Sequence, residues 1–155
     1  IYVGVSAGGL AALIAASSDA AGTRGLLLLD PTNAGGQARR AAGRVQAPVA
    51  ALVAKSQVCN AWRNIDPALQ TLRDVTIVAI ERASHCDFEG PTDGFCQRLC
   101  GRAKEETTLA IRAETVLATL ELLTAAHAGV GARDRDGGAP LPAAEAPPPP
   151  EPPPE

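Results

Sequence analysis

Residues Gly4-Val5-Ser6-Ala7-Gly8 set a serine in a G-x-S-x-G pattern. A serine hydroxyl is a weak nucleophile until a neighbouring base takes its proton and a third group orients that base. The pattern suits a tight strand-to-helix turn. Glycine two places before and two places after the serine keeps side chains out of the turning backbone, and the hydroxyl is held above the helix start. The amide of Ala7 then points to where an oxyanion would form, and the dipole of the following helix assists it. The competing reading is a glycine-rich turn in which Ser6 serves only as a helix cap.

A base is needed, and the chain has two histidines. His127 falls in the expected last turn of a long helix, where a histidine complements the dipole. His85 follows the apolar run Val75-Thr-Ile-Val-Ala-Ile80 by five residues. If that run is a strand of a parallel sheet, His85 lies at its C-terminal end, on the edge that also carries Ser6. An orienting carboxylate on the same edge is Asp30, which ends the run Leu26-Leu-Leu-Leu29 and precedes Pro31. Asp87 is the second candidate but stands only two residues from the base, and Asp66 is the third. The bland readings are a surface-loop histidine at 85 and an Asp-Pro turn at 30. The chain order Ser6, Asp30, His85 is the Ser-Asp-His order.

These residues need elements to position them. Residues 1–5 read as a strand, 7–17 as a helix with Leu10, Leu13 and Ile14 on one face, and 25–30 as a strand apolar on both faces. Residues 31–44 read as a polar loop, 48–54 as a third strand, 55–66 as a loop and 67–72 as a short helix that opens with proline. Residues 75–80 are the fourth strand and 84–101 a loop. Residues 102–126 read as an amphipathic helix with Leu109, Val116, Leu120 and Leu123 on its apolar face, broadened by Leu117 and ended by Gly129 and Gly131. The alternation predicts an α/β fold with a parallel sheet of about four strands and flanking helices. The edge at Ile1-Tyr-Val should lack a neighbour. Residues 131–155 read as a disordered Pro/Gly/Ala-rich tail, nine of the sixteen residues from Pro140 onward being proline.

Composition narrows the partners. The 155 residues are 46% hydrophobic and 20% charged, with a net charge of −3. That balance gives no basic surface for nucleic acid, and 3% aromatics give few stacking platforms. The uncharged first eighteen residues reach the lower limit of a membrane span, but the glycine break after four strand-type residues argues for strand, turn and helix instead. Nucleotide binding is disfavoured because the glycines at 4, 8 and 9 miss the G-x-G-x-x-G spacing and no Walker lysine follows. The chain has no methionine and opens in the middle of a strand pattern, which suggests a fragment or a processed chain.

Cys59, Cys86, Cys96 and Cys100 fall in the loops after the third and fourth strands. Disulfides bracing the histidine loop are the leading expectation, with pairs Cys59–Cys86 and Cys96–Cys100, and they favour an oxidising compartment such as a secreted or organellar setting over the cytosol. Free buried thiols are the alternative. A zinc site of three of these cysteines with His85 has poor spacing, so no metal is expected.

Gly-Val-Ser-Ala-Gly-Gly at 4–9, Leu-Leu-Leu-Asp-Pro at 27–31 and Ser-His-Cys-Asp-Phe at 84–88 resemble the second half of an α/β-hydrolase, of the chlorophyllase-like or dienelactone-hydrolase-like branch. The resemblance spans roughly residues 1–127 and makes residues 1–130 a partial α/β-hydrolase domain. It implies a carboxylic ester hydrolase without cofactor, with Ser6, Asp30 and His85 catalytic, Ala7 an oxyanion donor and a small-molecule or lipid-like ester as substrate. It also implies a missing N-terminal half that supplies earlier strands and a second oxyanion donor. Plant chlorophyllases usually carry Gly-His-Ser-Arg-Gly-Gly, and Val5 and Ala7 here replace the histidine and arginine, so the chlorophyll substrate is not implied. A second reading is a non-catalytic α/β-hydrolase-like binding module whose proline-rich tail docks on aromatic grooves.

Overall fold

Four consecutive leucines, Leu26–Leu29, show how the sheet is built. Side chains alternate across a strand, so a run that is apolar at every position supplies both faces. Leu26 and Leu28 enter one core with Val49, Ala51 and Val53. Leu27 and Leu29 enter the other with Ala50, Leu52 and Ala54. The strands β1 (Tyr2–Val5), β2 (Leu26–Leu29), β3 (Val49–Ala54) and β4 (Val75–Ile80) lie in the order β1-β2-β3-β4, all parallel. The computed structural model describes residues 1–89, 94–101 and 105–135, with side chains described through residue 128.

Helices cover both faces. On the first lie α1 (Ala7–Ser18), α2 (Gln37–Ala42) and α3 (Asp66–Leu69), which contribute Leu10, Leu13, Ala38, Ala41 and Leu69 to the core there. On the second lies α5 (Glu105–Arg135), with Ile111, Ala118 and Leu122 against the sheet and Phe88 beside them. This is the α/β class with the expected four-stranded parallel sheet. β1 stands at one edge with Val3 exposed, and β4 at the other with Thr76, Ile77 and Ala79 exposed.

Several expectations are corrected. The polar loop at 31–44 contains α2, whose three alanines are buried beneath α1 and α3. Tertiary burial outweighs the surrounding arginines and glycines. The segments 55–66 and 84–101 are not plain loops either. They contain 3₁₀ turns at Val58–Arg63 and His85–Phe88, and the helix α4 (Gly94–Cys100). Helix α5 does not stop at Gly129 and Gly131 but continues to Arg135. His127 therefore lies eight residues before its end and is exposed. The tail expected at 131–155 is helical through residue 135, and its remainder lies outside the described residues.

The buried stripe of α5 is also not the leucine-rich one. Leu109, Val116, Leu117, Leu120 and Leu123 are each 43–58% exposed, whereas Thr107, Ile111, Ala118 and Leu122 face inward. One close approach lies on that inward side. Leu122 seats over Gly25 at the start of β2, where a Cβ would come within 3.3 Å of the Leu122 Cβ. Ile111 and Ala118 pack in the same cluster as Leu122, so the inward face is the one that meets the sheet and Phe88. No helix among the described residues is long and apolar enough to cross a membrane.

Truncating Leu28 to alanine should cost about 2–5 kcal/mol in urea unfolding, because Leu28 is fully buried. Leu120→Ala should stay within about 0.5 kcal/mol, since Leu120 projects from the outer stripe. Equal losses at the two positions would contradict the assigned face of α5.

Candidate active site

Ser6 is the hinge between β1 and α1. Its backbone has φ 52° and ψ −124°, a conformation costing on the order of 1–3 kcal/mol for a residue with a side chain. The turn is held from both sides. The Ser6 amide donates to the Leu29 carbonyl at 3.0 Å, and the Ser6 carbonyl accepts from Gly9 at 2.9 Å and from Thr32 at 3.2 Å. Two glycines make this geometry accessible, but not the two that the motif suggests. A Cβ at Gly4 would overlap the Gly8 carbonyl, and a Cβ at Gly9 would lie 2.7 Å from the Pro31 Cβ. A Cβ at Gly8 would meet nothing within 4 Å. The second steric requirement thus belongs to Gly9, which lets α1 close on the loop after β2.

Ser6 stands at the N-cap position of α1, but its side chain makes no capping bond. Its Oγ instead lies 2.8 Å from His85 Nε2. His85 Nδ1 lies 2.6 Å from Asp30 Oδ2. Asp30 and His85 are 1% and 5% exposed, so this chain of hydrogen bonds runs through the interior and opens to solvent only at the serine. In a low-dielectric setting such bonds are electrostatically stronger than in water.

Each member is placed by the end of a strand. Asp30 follows β2 directly, with φ 39° and its amide donating to the Leu52 carbonyl at 2.7 Å. Its Oδ1 accepts the amide of Ala54, the last residue of β3, at 2.9 Å. His85 opens the 3₁₀ turn after β4. Ser84 precedes it and donates from its amide (2.7 Å) and hydroxyl (2.8 Å) to Asp87 Oδ2. Asp87 thereby braces the turn that carries His85 and is not the residue that meets the imidazole. Asp66, the third carboxylate considered, pairs with Arg63 at 3.0 Å. Ala7 is the first residue of α1, so its amide belongs to the group of N-terminal donors without an intrahelical acceptor.

One residue has no role in the sequence reading. Asn60, in the 3₁₀ turn after β3, is fully buried and directs Nδ2 toward both oxygens of Asp30, at 3.3 and 3.4 Å. A position at the C-terminal end of β3 was the available clue. Burial of an asparagine inside a turn leaves no periodic pattern to read.

The cysteines form two disulfides, with pairing different from that expected. Cys59 is bonded to Cys100 and Cys86 to Cys96. No described cysteine is free, which replaces the free-thiol reading. Cys96 and Cys100 stand one turn apart on α4 with their sulfurs 3.8 Å from each other. A bond between them would close one helical turn and fasten nothing. Bonded outward, they tie α4 to the residue before Asn60 and to the residue after His85. Disulfides of this kind fit an oxidising compartment.

Comparison with protein-family models, with curated proteins and with solved structures finds no match.

The disulfide pairing is open to a direct measurement. Trypsin without reductant should release peptide 56–63 joined to peptide 99–102, and peptide 83–98 carrying an internal bridge. Either other pairing would hold all three peptides in one cross-linked species.

Proposed function

We propose that the chain carries the catalytic centre of a serine hydrolase that cleaves carboxylic esters through an acyl-enzyme. The observation that carries this reading is the continuous relay from Ser6 Oγ to His85 Nε2 at 2.8 Å and from His85 Nδ1 to Asp30 at 2.6 Å. The strained backbone of Ser6 supports it, because strain of this kind is kept where it positions a reacting group.

The steps follow from these atoms. Ser6 Oγ attacks the ester carbonyl carbon while its proton passes to His85 Nε2. Asp30 holds the imidazole with Nδ1–H directed at its carboxylate and stabilises the imidazolium that forms. The carbonyl oxygen becomes an oxyanion and accepts from the Ala7 amide at the N-terminus of α1. Each donor to such an oxyanion is worth roughly 10²–10³ in rate. The tetrahedral species collapses, the carbon–oxygen bond to the alcohol breaks, and the alcohol leaves with the proton from Nε2. Water then attacks the acyl-serine, giving its proton to His85, and the acid departs. The chemistry needs no metal or organic cofactor.

The ester is a small-molecule or lipid-like one. Trp62 and Phe95, both about 70% exposed, stand on the two segments that the Cys59–Cys100 bond joins at this end of the sheet. They offer apolar surface to an acyl or alcohol group of low polarity.

Treatment with a fluorophosphonate, read by intact mass, should add one adduct to the parent protein and none to Ser6→Ala. His85→Ala should slow the labelling by at least about 10³-fold. A parent chain that is folded by circular dichroism and takes no label would overturn the proposal.

A further inference from the structure

The side-chain amide of Asn60 is bonded at both its oxygen and its nitrogen. Its Oδ1 accepts the amides of Gln57 at 3.0 Å and Arg63 at 3.3 Å. Its Nδ2 donates to the Lys55 carbonyl at 2.9 Å and, over longer distances, to both oxygens of Asp30. The three residues after it, Ala61, Trp62 and Arg63, all have left-handed φ of 49–56°. Three such residues in succession are costly for side chains other than glycine, each on the order of 1–3 kcal/mol. A turn built that way is retained because something in it must stand in one place, and the fully buried member is Asn60.

We infer that Asn60 is a positioning residue for the Ser6-His85-Asp30 relay, acting on the carboxylate of Asp30. This inference rests on the serine-hydrolase reading above. With its backbone fixed, Asp30 can still turn its carboxylate about two side-chain bonds, Cα–Cβ and Cβ–Cγ. The Ala54 amide holds Oδ1 from one strand end, and the Asn60 amide group spans both oxygens from the turn beyond. Together they leave Oδ2 aimed at His85 Nδ1.

The chemical type matters as much as the place. A carboxylate accepts hydrogen bonds and the Asn60 amide nitrogen donates them, so the two match in type. A lysine or arginine at the same position would compete with the imidazolium for the carboxylate. An acid would repel it. An amide donates without bringing a charge of its own. The Cys59–Cys100 bond secures the residue immediately before Asn60, so the donor is anchored covalently next to its own backbone.

The test uses the full chain, Asn60→Ala and Asn60→Asp, with melting curves to verify folding. The isosteric aspartate lacks the donor when ionised and regains one when protonated, and its charge would lie beside that of Asp30. Fluorophosphonate labelling of Asn60→Ala should fall roughly 10-fold to 10²-fold. For Asn60→Asp, the labelling rate relative to the parent should rise about tenfold or more as pH falls from about 8.5 to 6. A second readout needs no activity, namely the far-downfield proton of the His85 Nδ1–H bond in proton NMR, assigned by its loss in His85→Ala. That signal should be present in the parent and in Ser6→Ala, and shifted or broadened away in folded Asn60→Ala. An unlabelled parent that keeps this behaviour would count against the hydrolase reading and leave the role of Asn60 standing. An unchanged downfield proton, a pH-flat ratio, or loss of folding in both variants would overturn the inference.

Discussion

A hydrogen bond of 2.6 Å between His85 and Asp30 joins residues fifty-five positions apart, deep in the protein. Two groups of this polarity are costly to bury unless each satisfies the other. The fold must therefore bring the ends of β2 and β4 to one edge and hold them there, although the two strands are not neighbours. β3 lies between them. It bridges the gap by giving the Ala54 amide to Asp30 and then turning back through Asn60. The middle strand contributes none of the three relay side chains, yet its end determines whether the bond can exist.

The parallel arrangement makes this economical. With all four strands running the same way, every loop that follows a strand opens at the same edge. β1 delivers Ser6, β2 delivers Asp30, β3 delivers Asn60 and β4 delivers His85. Helices pack on both faces of the sheet. Gly9 against Pro31 and Leu122 over Gly25 are close approaches between elements on the two faces.

Much of this was legible in the residues. Apolar runs bounded by glycine, proline and aspartate marked all four strands, and parallel strands required Ser6, Asp30 and His85 to share an edge. The rest was hidden for identifiable reasons. Helix α2 reads as a polar loop because its buried positions are alanines, which carry little hydrophobic signal. Helix α5 has two apolar stripes, and the contacts of Ile111, Ala118 and Leu122 with the sheet are tertiary, so no count along the helix separates the two. The requirement for Gly9 rather than Gly8 depends on where Pro31 arrives, a matter of tertiary structure. The cysteine pairing was not legible because Cys96 and Cys100 lie on α4, a helix that the sequence reads as loop. Asn60 is buried in a turn, where no periodicity exists to expose it.

Helix α4 is attached in an unusual way, through Cys96 and Cys100 rather than through a buried apolar face. None of its residues is fully buried, and Phe95, Arg98 and Leu99 all point outward. Two disulfides anchor it, and the outward positions Phe95, Arg98 and Leu99 take no part in that anchorage. Natural variation or deliberate redesign can therefore rewrite that stripe in size, charge and greasiness while the anchorage stays the same. The helix is a replaceable facing mounted on two bolts, and the character of this end of the molecule can drift without loosening what lies beneath it.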